Sequence, residues 1–195
     1  MELKNGIQTY HAKSRDEWRK WLELNHDKEK SLWLIIYHKK SETPSVAYDE
    51  SVEEALCFGW VDSRTNKRDE ESYYIYYCKR KPTSYWSKSN RERVERLIEQ
   101  GLMTDVGQAL IDLAKQKGTW LILEDIENLV LPTDLEKEFA KNKVAFDNFR
   151  AFRDSSKRII LEWILNAKRP ETRQKRIEET VALAEKNIKA NHYVQ

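Results

Sequence analysis

The 195-residue chain has little of what punctuates or staples a fold: five glycines, four prolines and two cysteines. So few glycines and prolines exclude a collagen-like repeat, and no low-complexity segment appears. Net charge is also scarce. Thirty-five Lys+Arg against 33 Asp+Glu leave +2, too little to imply a polyanionic partner by itself. The longest apolar run, Leu32 to Tyr37, is far short of the roughly 20 residues a membrane span needs. No membrane insertion is expected.

Other absences narrow the chemistry. Cys57 and Cys78 form no CxxC or zinc-ligand spacing, and both sit in apolar or aromatic surroundings. They are expected as free, reduced thiols. His11, His26, His38 and His192 show no HxxxH or HExxH spacing, and there is no GxSxG, Walker loop or GxGxxG. No metal, cofactor or catalytic residue is therefore assigned. The N-terminus lacks a charged-then-apolar signal organisation, so the chain reads as cytoplasmic. Adjacent carboxylates at Asp49-Glu50 and Glu53-Glu54 are expected to face water.

What is present is aromatic: seven Trp, nine Tyr and five Phe, which excludes a disordered chain. Ser14 and Glu17 form a capping box before Trp18, Trp21 and Leu22, which share one helical stripe. Leu32–Tyr37 reads as a central strand buried on both faces. Val52, Ala55 and Leu56 mark a helix that Gly59 stops. Trp60–Ser63 and Tyr73–Cys78, around a charged turn at 66–72, read as a β-hairpin.

After Pro82 the pattern is helical. Ser89 with Glu92 suggests a second capping box before Val94, Leu97 and Ile98. Thr104 caps a helix expected to bury Val106, Ala109, Leu110 and Leu113. Leu121–Leu131 reads as a connector. Thr133 with Glu136 suggests a third box after Pro132. Leu135/Phe139, Ala145/Phe146/Phe149 and Ile159/Ile160/Trp163/Ile164 then mark helices, and a last one starts at Pro170 and buries Ile177, Val181 and Ala184. Trp163 is expected as a core anchor whose truncation costs about 3–5 kcal/mol.

Charge is strongly polarised. Residues 79–96 hold seven basic residues and two acids, net +5, and 168–176 hold five against one, net +4. Residues 104–136 are the reverse, seven acids and two lysines, net −5. The first basic block combines Arg80, Tyr85 and Trp86 with Ser84, Ser87, Ser89 and Asn90 at a helix start, a combination suited to an anion. In the second, Arg169, Arg173 and Arg176 share a face. The competing assignments are, for the first, a core Trp86 with Ser87 and Ser89 merely capping and the charges on a solvated face, and, for the second, pairing with the protein's own acids, such as the 104–136 segment or Glu162.

Three segments carry a family resemblance. Ser51-Val52-Glu53-Glu54-Ala55-Leu56-Cys57-Phe58-Gly59-Trp60-Val61-Asp62-Ser63 resembles an EEALCFGWIDS signature. Arg80-Lys81-Pro82 with Ser84, Trp86-Ser87 and Asn90 resembles RRPxSxWSxxN. Trp163-Ile164, Ala167–Arg173 and Arg176-Ile177 resemble WIxxAKRxETRxxRI. The family is the YdeI/OmpD-associated, bacteriocin-protection proteins of bacteria. The resemblance implies a role in tolerance of bacteriocins or cationic antimicrobial peptides and brings no catalytic mechanism. Lys81 stands where the family often has a second arginine.

The sequence thus predicts an α+β protein: residues 1–130 with a small, mostly antiparallel sheet, and residues 131–195 all helical. Its expected role is non-enzymatic binding of a small anionic ligand or a protein partner. Trp60, Asp62, Arg80, Ser84, Trp86 and Asn90 are expected to line a groove. Lys168, Arg169, Arg173 and Arg176 form a second anion contact. The alternatives are nucleic-acid binding by the 79–96 segment and a small-molecule enzyme using Asp62 and Arg80.

Overall fold

The computed structural model describes residues 2–192. The protein is α+β, and its chain divides at Leu121/Ile122 into two compact units. The first is built on a five-stranded sheet of β1 (Leu3–Lys4), β2 (Ile7–His11), β3 (Ser31–Tyr37), β4 (Trp60–Lys67) and β5 (Ser72–Lys79), in the order β1-β2-β3-β5-β4. Only β2 and β3 run parallel; the other pairs are antiparallel. The hairpin and the central strand both form as the apolar pattern predicts. β3 sends Leu32, Leu34 and Ile36 into the main core, while Trp33 and Ile35 join Tyr74 in a second cluster.

The main core lies under α1 (Arg15–Asn25), α2 (Tyr48–Cys57), α3 (Lys88–Glu99) and α4 (Asp105–Gln116). Ser14 caps α1 by accepting from the Glu17 amide, but Glu17 turns its carboxylate to the Lys13 amide at 2.8 Å instead of closing the box. Trp18 and Trp21 stack at 5.2 Å on the buried face. Glu54 does not face water. It is 1% exposed and bound by Arg15 Nε at 2.6 Å and Arg19 Nη1 at 2.7 Å, an ion-paired tie between α1 and α2.

Two sequence-based helix starts shift. Ser87, not Ser89, caps α3: its Oγ accepts from the Asn90 amide, and Ile98 ends up exposed. In α4 the buried face is Gly107, Ile111 and Ala114, whereas Val106 and Ala109 are exposed and Leu110 and Leu113 half-buried. Gly107 explains the rotation. A Cβ there would meet the Cys57 carbonyl oxygen at 2.3 Å, so a bare glycine lets α4 lie directly against the end of α2. Thr104 reinforces the contact by donating to that same carbonyl at 2.5 Å.

The second unit is helical: α5 (Glu124–Glu127), α6 (Thr133–Ala140), α7 (Lys143–Ala151), α8 (Asp154–Leu165) and α9 (Pro170–Glu185). It begins ahead of Pro132, because Ile126 of α5 packs in the core of this unit. Pro132 itself occupies the cap position of α6, and Thr133 is already helical, so the third capping box does not form. In α8 the buried residues are Ile160, Leu161 and Ile164; Ile159 is exposed and Trp163 half-buried. Among the described residues no helix is long and apolar enough to cross a membrane.

Candidate functional site

Four segments of the sheet unit converge on a cavity of about 610 Å³. His26 and Asp27 close α1, and Phe58, Gly59 and Trp60 lead from α2 into β4. Lys79 ends β5 and Arg80 follows it, and Asp105, Val106, Ala109 and Leu110 come from α4. The junction is built by Gly59, whose φ of +72° reverses the chain out of α2; its carbonyl accepts from the Arg80 amide at 2.9 Å. This joins the start of β4 to the end of β5 and sets Trp60 and Arg80 in one wall.

The floor is rigid. Trp60 is 1% exposed, donates from Nε1 to the His26 carbonyl at 3.2 Å and meets Trp21 edge-on at 5.8 Å. The opposite wall is the apolar stripe of α4 that the main core leaves unburied. Two stripes on one short helix exceed what a single core needs, and the surplus one faces this space.

Arg80 is the unusual group. Its side chain lies over the Trp86 ring with the guanidinium carbon 3.7 Å from the centroid, and Nη2 donates to the Tyr85 carbonyl at 2.5 Å. Nε and Nη1 are buried without a hydrogen-bond partner, and no carboxylate pairs with it among the described residues. Burial pulls its pKa down to about 10, against the opposing pull of Asp62. An unpaired buried charge is costly, because hydration is lost without replacement.

The other expected groove residues lie around this point. Trp86 is buried, not an open stacking face, and packs against both Arg80 and, at 5.0 Å, Trp120. Asp62 accepts from the Tyr48 hydroxyl at 2.9 Å; burial, then Asp62, pushes the Tyr48 pKa to about 12. Ser84 sits in the turn after Pro82, its amide donating to the Lys81 carbonyl. Asn90 lies in the first turn of α3, where its Oδ1 accepts from Arg93 at 3.5 Å. Trp60 and Arg80 line the cavity; Asp62, Ser84, Trp86 and Asn90 do not.

In the helical unit, Arg173 forks onto Asp134 at 2.6 and 2.9 Å. Arg176 donates to the Trp163 carbonyl at 2.5 Å and lies over that ring. Lys168 and Arg169 are exposed. Cys57 and Cys78 are free, and burial raises the Cys57 pKa to about 11. Among the described residues no His, Cys, Asp or Glu cluster could hold a metal ion.

His26, Phe58 and the α4 residues were not expected at a site. The one signal for them was the excess of apolar positions on α4.

The protein thus pairs an α+β unit, holding a ligand-sized cavity, with a helical unit. Residues 10–110 match the family model of a domain of unknown function, DUF8412; this is just over half the chain, which belongs to that family. Residues 128–187 match the family model described as Bacteriocin-protection, YdeI or OmpD-Associated (OmdA). The C-terminal motif from Trp163 falls within this second match, and the motifs at 51–63 and 80–90 fall within the first. No curated protein and no solved structure gives a match.

Proposed function

We propose that this is a non-enzymatic binding protein of the bacteriocin-protection type, and that its sheet unit holds a small, largely apolar molecule in the cavity between β4, β5 and α4. The cavity carries the reading. Its volume of about 610 Å³ lies within the range of small-molecule sites, roughly 300–1,000 Å³. Apolar walls with few polar groups are the composition such sites share. Unbridged Cys57 and Cys78 suit the reducing cytoplasm assigned to it. The match of residues 128–187 supports the biological role.

The basic block at 79–96 favours this reading over nucleic-acid binding. Arg80 and Arg91 are buried, Arg93 pairs with Asp49 and Arg96 with Glu53, each at 2.7 Å. Cations turned inward or already paired do not form a track for phosphates.

Ala109→Trp tests the proposal, because it projects a large ring into the cavity from an exposed helical position. In a melting-temperature screen of small apolar molecules, hits should stabilise the natural protein and not the variant. In cells lacking the protein and challenged with bacteriocin, the natural chain should restore tolerance and Ala109→Trp should not. A screen without a hit, or full protection by the variant, overturns the reading.

A further inference from the structure

Resting on that reading, we propose that the cavity's ligand is a neutral molecule with one hydrogen-bond donor, a phenol or an alcohol. Its hydroxyl donates to Nε2 of His26, and its apolar body lies along Val106, Ala109 and Leu110. His26 lines the cavity where α1 ends, and its side chain is half-buried. The ring is held at two points: Nδ1 lies 2.9 Å from the Leu22 carbonyl oxygen, and the imidazole packs on Phe58 with centroids 5.4 Å apart. The main chain is fixed as well. The His26 amide donates to the same Leu22 carbonyl at 2.8 Å, and the His26 carbonyl accepts from the Trp60 indole. The imidazole is thus a set part of the wall.

This arrangement also fixes the proton. A carbonyl oxygen only accepts, so Nδ1 carries the hydrogen and the neutral ring keeps its lone pair on Nε2. That nitrogen, on the far side of the ring from the helix, has no hydrogen-bond partner among the described residues. The buried side-chain nitrogens without a partner belong to Arg15, Trp33 and Arg80, so Nε2 of His26 is accessible where theirs are not. A free acceptor in a largely apolar wall selects a ligand that brings the donor. The charged groups select no ion. Asp27, Asp105 and Lys79 are exposed and of both signs, so water screens them, and Lys79 Nζ already donates to the Asp27 carbonyl at 2.7 Å.

The test titrates 2-naphthol, 2-methoxynaphthalene and 2-naphthoate calorimetrically into the full chain at pH 8. The first two share a ring body and an oxygen, and only the naphthol donates. Naphthol should bind about three- to tenfold tighter than its methyl ether, the contribution of one net hydrogen bond, and tighter than the naphthoate anion. His26→Phe keeps a ring against Phe58 and leaves the Leu22 carbonyl its amide donor; it should bring naphthol and ether to equal affinity. A preference that survives in His26→Phe is one of size and overturns the proposal. Should His26→Phe not fold, nitrogen-15 NMR of the natural chain decides: His26 should show the Nδ1–H tautomer, and its Nε2 resonance should move upfield when naphthol binds. Ala109→Trp should abolish binding of all three. Equal binding of naphthol and ether to the natural chain, or an Nε2–H tautomer at His26, overturns the donor assignment and leaves the cavity reading standing. Tighter naphthoate overturns the neutral charge. If none of the three binds, this proposal falls, and the apolar screen decides separately whether the cavity reading falls with it.

Discussion

Each unit lays an arginine on an indole, and the two pairs behave differently. In the sheet unit Arg80 covers Trp86 at 3.7 Å and donates to the Tyr85 carbonyl. In the helical unit Arg176 covers Trp163 at 4.9 Å and donates to the Trp163 carbonyl. The first pair is buried, with the indole of Trp120 also packed against Trp86 at 5.0 Å. The second pair stays half-exposed, so water still serves the guanidinium edges. Cation–π contact strengthens as water leaves, from about 0.5–1 to about 2 kcal/mol, but so does the cost of unpaired donors. The same two side chains therefore make a surface clasp in one unit and an electrostatically unfinished site in the other.

Truncating the two indoles breaks the comparison open. Trp86→Ala should cost about 3–5 kcal/mol, the range for large buried aromatics, because it removes a buried ring that packs against Arg80 and Trp120. Trp163→Ala should cost only about 1–2 kcal/mol, since a half-buried ring surrenders less apolar area. This replaces the 3–5 kcal/mol that the helical spacing alone suggested. Urea midpoints of the two variants against the natural chain measure both. Equal losses would mean that exposure does not separate the pairs.

The reason for the revised Trp163 figure also shows what could be read from sequence. Ile159, Ile160, Trp163 and Ile164 are all apolar, and spacing alone cannot choose among faces about one position apart. The structure buries Leu161 with Ile160 and Ile164 and turns Ile159 outward. Elements with a single apolar solution were legible: β3, the hairpin and α1 form as their patterns dictate. α4 offered two solutions, and the choice between them depended on Gly107 meeting Cys57, a contact 50 residues apart that no local pattern encodes. That Trp60 and Arg80 come close together was legible, because the hairpin sets the start of β4 against the end of β5. Burial of Arg80 was not, since an isolated cation after a strand ordinarily faces solvent.

The smallest expected effect concerns the arginine that does have a carboxylate. The Arg173 fork, more than burial opposes it, holds the Asp134 carboxyl below its ordinary pKa of 3.8. A depressed folded-state pKa contributes stability that is complete above the unfolded value and lost as pH falls through the folded one. Asp134 is 42% and Arg173 29% exposed, so solvent screening limits the pair to about 1 kcal/mol or less. Asp134→Asn should therefore melt slightly below the natural chain at pH 5–7, by an amount that shrinks below about pH 4. Asparagine keeps an oxygen for the Leu135 amide, which Asp134 Oδ1 binds at 3.0 Å, so the start of α6 stays capped. Arg173→Gln removes the same pair from the other side and should show the same pH trend. A deficit unchanged from pH 3 to 7 in both variants would mean that the contact acts through packing and hydrogen bonding, not through charge. The contrast with Arg80, which Asp62 reaches only electrostatically and not as an ion pair, would then have to be redrawn on geometry alone.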